Sequence, residues 1–135
     1  MCAVSIVKVE RERVEDAVYC AVELAGGLER YAPGSTVLIK PNVVSPSRSG
    51  SGKITDARVT GGVTRMVLER DPQRVIIGEG SAVGYDFPGC VDAFVMGTFA
   101  IAQTAWEADV IVCLPVIKTH VRTGFVVCAI ATFDL

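Results

Sequence analysis

Histidine is almost missing from this sequence, and closely spaced cysteine pairs are missing altogether. The single histidine, His120, has no HxH or HxxxH partner, which removes the usual imidazole pairings of a metal site. The five cysteines are Cys2, Cys20, Cys90, Cys113 and Cys128. They are scattered, odd in number and form no CxxC, so no disulfide framework, zinc ribbon or iron–sulfur run is written here. A metal or cluster would need cysteines or carboxylates brought together from distant parts of the chain. Such cysteine usage points to a reducing compartment, and a cytoplasmic location is the expectation. Cys20 and Cys113 lie in apolar runs and are expected to be buried thiols.

Basic residues are also unevenly absent. None occurs between Arg74 and Lys118, while Glu79, Asp86, Asp92, Glu107 and Asp109 fall in that gap. Formal net charge is -2 and the pI is about 5.4, so a general nucleic-acid binder is excluded. The longest charge-free run, 93–106, still contains Thr98, Gln103 and Thr104. It falls short of the roughly 20 apolar residues a spanning helix needs, so no membrane partner is expected. Lys8 and Glu10 interrupt the first apolar run, which does not read as a signal peptide. The glycine stretch "GEGSAVG" has neither GxGxxG nor GxxxxGK[ST] spacing and carries no nucleotide motif.

What remains is strongly apolar. Half of the residues are hydrophobic, 21% are charged, and mean hydropathy is +0.44. That balance excludes disorder and implies a well-covered core or an apolar contact surface. "AVSIVKV", 3–9, reads as a strand. Val14, Ala17, Val18, Ala21, Val22, Ala25 and Leu28 then fall on one helical face. "TVLIK", 36–40, reads as a strand closed by Pro41. The Ser- and Gly-rich loop 41–56 ends at Asp56, a capping residue for a helix whose apolar face is Val59, Val63, Met66 and Val67. "RVIIGEG", 74–80, is a third strand, 92–106 a helix interrupted at Gly97, and "ADVIVCLP", 108–115, a fourth strand. The pattern is β-α-β-α-β-α-β. It predicts one α/β domain over residues 1–135, three-layered or open-faced, around a mainly parallel sheet. The apolar tail "FVVCAIATFDL", 125–135, fits an added strand, an interface, or the start of an unfinished element.

In parallel sheets, ligands gather at the carboxyl ends of the strands. Three polar groups stand there: Lys40-Pro41-Asn42, Gly78-Glu79-Gly80-Ser81 and Lys118-Thr119-His120. Lys40 and Lys118 are two of only four lysines, and together would attract a phosphate or carboxylate. Asn42 offers a ligand contact or a loop-holding bond to backbone. Thr55 and Asp56 open a helix, where backbone N–H groups either meet an anion or are capped. Glu79 fits a general base, a metal ligand, or an ion-pair partner that orients a lysine. His120 fits a general acid/base or a surface role. The serines of the 41–56 loop form no nucleophile elbow and read as ordinary loop residues.

The blocks "IKPN", "TDARVTGGV", "VIIGEGS" and "EADVIVCLPVIKTH" come in this order. Together they resemble the DUF362 family, a domain of unknown function. The resemblance spans about residues 3–125 with gaps. It implies that Lys40, Asn42, Thr55, Asp56, Glu79, Lys118, Thr119 and His120 act as one set. The family is often linked to iron–sulfur proteins, and some members carry a ferredoxin-like module whose cysteine runs this chain lacks. Two departures stand out. The connection from Ser81 to Glu107 is shorter than the family's. After Thr123 the family continues with a lysine and an asparagine, and this chain has neither, with Ile130 and Ala131 where they would be expected.

These readings lead to two expectations. The first is a domain that binds a small anionic ligand or cofactor of unknown identity at the strand tips. The redox link of that domain comes from the resemblance alone. If it is an enzyme, Glu79 and His120 are the catalytic pair, and Lys40, Asn42, Thr55, Asp56, Lys118 and Thr119 bind the ligand. The second is a non-catalytic assembly subunit, forming a homo-oligomer or joining a partner through 125–135.

Overall fold

The computed structural model describes residues 3–43, 47–79, 94–95, 98–99, 103–120, 124–126 and 131–134, with side chains for 3–43, 47–79 and 103–117. In chain order the elements are α1 (Val14–Leu24), β1 (Thr36–Pro41), α2 (Ala57–Leu68), β2 (Arg74–Ile77), β3 (Phe94–Val95), β4 (Thr98–Phe99) and α3 (Gln103–Trp106). They continue with β5 (Val110–Leu114), β6 (Lys118–His120), β7 (Gly124–Val126) and β8 (Ala131–Asp134).

The main sheet has the order β2-β1-β5-β8. β1 runs parallel to both neighbours, with Val37 opposite Val75 and Val110, and Ile39 opposite Ile77 and Val112. Its start is tied to β5 by Asp109: Thr36 N–H donates to Asp109 Oδ2 at 2.7 Å, and Asp109 N–H donates to the Thr36 carbonyl at 2.9 Å. β8 closes the far side antiparallel to β5. Of the options for residues 125–135, an added strand is therefore realised over Ala131–Asp134. The expected α/β class and mainly parallel sheet are present.

Alternation along the strands decides the two faces. Val37, Ile39, Val110, Val112 and Leu114 join one buried cluster with Val18 and Val22 of α1 and Val63, Met66 and Val67 of α2. Those helix residues recur at intervals of three and four, which is why each helix buries one stripe. α2 lies against β1 and β2, and α1 packs on α2. Gly62 lies at that contact, where a Cβ would meet Glu15 Cα at 3.6 Å, an ordinary van der Waals distance. Arg65 donates to Glu15 at 2.6 Å across the helix pair. Arg70 gathers the α1 end by donating to Glu23 and Glu29, both at 2.7 Å, and to the Met66 carbonyl at 2.8 Å. Leu38, Lys40, Ile111 and Cys113 occupy the opposite face of the sheet by the same alternation.

Three expectations need correction. Residues 3–9 form no strand. Arg11 and Glu12 both have positive φ, 49° and 60°, and turn the chain directly into α1. The segment then runs beside that helix, where Ser5 Oγ donates to the Ala21 carbonyl at 2.5 Å. Residues 92–106 are not one helix. Phe94 pairs with Phe99 and Val95 with Thr98 in an antiparallel ladder, and among the described residues of this stretch only Gln103–Trp106 is helical. Aromatic and β-branched residues favour extended backbone, and here that preference prevails over the helical reading. Cys20 is exposed, because the buried stripe of α1 passes through Val18 and Val22 and turns away from position 20; Cys113 is only half-buried.

No helix among the described residues is long and apolar enough to cross a membrane.

Candidate functional site

The path of the chain marks one end of the sheet. β1 leads through α2 to β2 on one flank, and the chain next returns to β5 on the other flank of β1. Connections leaving β1 and β5 thus diverge. In open α/β sheets such a reversal leaves a crevice beyond the strand carboxyl ends. Lys40 and Pro41 end β1 there, in register with Cys113 and Leu114 of β5.

Lys40 is bound from the neighbouring loop. Its ammonium donates to Glu79 Oε1 at 2.5 Å, although the two residues lie 39 positions apart. Glu79 Oε2 accepts from the Val43 N–H at 3.4 Å. β2 delivers Glu79 to this place, and the Gly78 N–H donates to the Ile39 carbonyl at 3.1 Å, fixing the approach. Of the roles open to Glu79, the one realised in this geometry is an ion pair that orients Lys40.

Thr55 fastens the strand ends together. Its hydroxyl accepts from Asn42 N–H at 2.8 Å and donates to the Leu114 carbonyl, while Thr55 N–H donates to the Asn42 carbonyl at 2.9 Å. One side chain therefore links the loop after β1, the approach to α2 and the last residue of β5. Thr55 is 7% exposed, a burial that suits a fully used hydroxyl. The Asn42 side chain turns back along its own loop and donates to the Lys53 carbonyl at 3.4 Å, the loop-holding role.

Asp56 caps α2 by accepting from Arg58 N–H at 2.9 Å. The Arg58 guanidinium grips the same carboxylate through two bonds, of 3.1 and 2.9 Å. That side-chain contact, followed by the backbone N–H of Arg58, holds the Asp56 carboxyl down at about 2. Ser49 completes the cap: its Oγ accepts from Ala57 N–H at 2.8 Å and donates to Asp56 Oδ1 at 3.2 Å. The first N–H groups of α2 are thus met from within the chain, and a carboxylate stands where an anion would otherwise dock.

Lys118, Thr119 and His120 form β6, reached from β5 through 115–117. They pair antiparallel with Val126, Phe125 and Gly124 of β7. The backbone carries all three onward from the same end of the sheet. Their side chains lie outside the described residues, as do Gly80 and Ser81. The structure thus gathers Lys40, Asn42, Thr55 and Glu79 into one cluster and sets Asp56 beside it, committed to α2.

Residue types alone did not point to Ser49, Arg58, the Val43 N–H or the Leu114 carbonyl. Ser49 had one available signal. It lies within a glycine-rich loop just before a cap, and a hydroxyl on a loop that folds back can reach a helix N-terminus. A separate groove of about 130 Å³ is lined by Glu15, Asp16, Tyr19, Arg65, Met66 and Glu69 with Gly62. No strand-end residue contributes to it. Among the described residues, no three His, Cys, Asp or Glu side chains are placed to share a metal ion.

Comparison with protein-family models, with curated proteins and with solved structures finds no match to this chain.

Proposed function

We propose that the domain binds a small anionic ligand in the crevice beyond the carboxyl ends of β1 and β5. The observation that carries this reading is the reversal of strand order at β1, which has β2 on one flank and β5 on the other, with Lys40 at the end of β1. Lys40 supplies positive charge there. Lys118, Thr119 and His120, next along the chain from β5, are the further polar residues this reading assigns to the ligand. Thr55, Asn42 and Asp56 act chiefly as scaffold, since their side chains already bind the backbone or a neighbouring arginine. The DUF362-like order of the motifs supports treating these positions as one site, and the redox setting rests on that resemblance alone. In a catalytic version, His120 moves a proton at the ligand and Lys40 with Lys118 stabilises the negative charge that develops.

The test is a titration with inorganic phosphate, followed by amide NMR. Binding should shift the signals of Lys40, Asn42 and residues 117–120, and Lys40→Ala or Lys118→Ala should weaken it on the order of tenfold or more, as loss of a charge-assisted contact does. Unchanged affinity in both variants, or shifts confined to the α1–α2 groove, overturns the proposal. Native mass spectrometry of anaerobically purified protein tests for a tightly held ligand in the same preparation.

A further inference from the structure

We infer that the loop 48–53 is a second anion contact of this site, and that the ligand carries two linked anionic groups, as a diphosphate does. The inference rests on the anion-binding reading above and concerns where the net positive charge lies. From Tyr31 to Thr55 the sequence has no aspartate or glutamate, and its only charged residues are Lys40, Arg48 and Lys53. Lys40 is matched by Glu79, and Arg58, at the start of α2, by Asp56. Each of those pairs is neutral. Arg48 and Lys53 are exposed, and neither forms an ion pair among the described residues. The uncompensated charge beside the strand ends therefore belongs to the loop.

The backbone holds this loop against the strand ends. The Arg48 carbonyl accepts from Ser51 N–H at 3.2 Å, and Ser51 Oγ accepts from Lys53 N–H at 3.3 Å. Gly50 and Gly52, with φ of 79° and 75°, close the turn in left-handed backbone that other residues adopt only with strain. The far end is tied to the site: the Lys53 carbonyl accepts from the Asn42 side chain at 3.4 Å, two residues before the Thr55 hydroxyl that spans Asn42 and Leu114. Lys53 thus stands where the ends of β1 and β5 are joined, and Arg48 at the other end of the same short turn. A guanidinium and an ammonium without carboxylate partners suit the oxygens of a phosphate group. One group of the ligand meets Lys40 at the strand end, and the second meets the loop. Because the two groups are linked, the second contact forms as an intramolecular step.

The experiment titrates the whole chain with inorganic phosphate and with diphosphate in metal-free buffer, read by amide NMR. In the unmodified protein diphosphate should bind on the order of tenfold more tightly than phosphate, and should shift Gly50 and Gly52 together with Lys40 and Asn42. Replacing both loop cations, Arg48→Gln with Lys53→Gln, should remove most of that advantage while phosphate affinity stays within about twofold. The charge-conserving pair, Arg48→Lys with Lys53→Arg, should retain it. Equal affinity for the two anions in the unmodified protein overturns the inference and leaves the strand-end reading standing. So does an advantage that survives loss of both loop charges. An equal loss for phosphate and diphosphate also overturns it, because the loop then acts as a general source of charge and not as a second contact. Absence of binding by both anions removes the anion-binding reading itself.

Discussion

β1 and the N-terminal segment are built from similar residues and live in different surroundings. In β1, Val37 is 1% exposed and Ile39 is fully buried; in the segment before α1, Val4 is 84% exposed and Ile6 95%. β1 has a parallel neighbour on each edge and the core cluster on one face. The N-terminal segment is tied to α1 by the Ser5 side chain and joins no ladder among the described residues. β-branched residues make extended backbone comfortable, but a strand exists only where an edge receives it. The turn at Arg11 and Glu12 points the first run along α1, while the reversal around 32–35 feeds the second run into the middle of the sheet. Ser35 assists there, its carbonyl accepting from Gln73 N–H at 3.0 Å.

The largest test of this contrast is Ile39→Ala. It removes a fully buried side chain from the centre of the sheet and should cost about 3 kcal/mol, read as a fall in the urea midpoint at unchanged slope. A loss below about 1 kcal/mol would place the core elsewhere. A smaller effect is expected at the cap of α2. Asp56→Ala should cost about 1 kcal/mol near neutral pH. Its folded carboxyl titrates at about 2 against an ordinary 3.8, so the depressed value favours the folded state above the ordinary one. The difference between the unmodified protein and Asp56→Ala should therefore be full above about pH 4 and shrink as pH falls through about 2. A difference that holds constant through this window would show that the cap does not act through the charged carboxylate. The smallest effect belongs to Ile6→Ser, which should shift stability by less than about 0.5 kcal/mol. Destabilisation comparable with Ile39→Ala would mean that residues 3–9 are packed in solution, and hydrogen exchange at Val4–Val9 would then be slow like that at 37–39.

Elements governed by short-range pattern were legible in the sequence. Val14, Val18 and Val22 set the stripe of α1, and Asp56 before Val59, Val63, Met66 and Val67 announced both the cap and the buried face of α2. The strand over 36–40 and the one ending near Leu114 were readable from short apolar runs beside proline. Residues 3–9 carried the same local signal, yet their fate depended on whether an edge was open to them, which is not a local property. Phe94–Phe99 failed for the reverse reason: a run of mixed apolar residues suits a helix or a short ladder, and pairing decided between them. In the candidate site, Lys40 and Glu79 were legible as strand-end charges, and their ion pair was among the roles considered. The clasp at Thr55 was not, because it depends on Leu114, 59 positions away, presenting a carbonyl to a hydroxyl.

The position of β1 also orders the steps of folding. β1, α2 and β2 are consecutive in the chain, and the β1–β2 ladder closes a shorter loop than the β1–β5 ladder. The opposite edge of β1 waits for β5, and the Thr36–Asp109 link spans 73 residues. Closing that larger loop carries a greater entropic cost and comes later. During synthesis on the ribosome, the β1-α2-β2 unit would emerge with one ladder complete and one edge of β1 bare. Chaperone binding or self-association at this stage would target that edge. Slow steps in refolding should likewise track the arrival of β5.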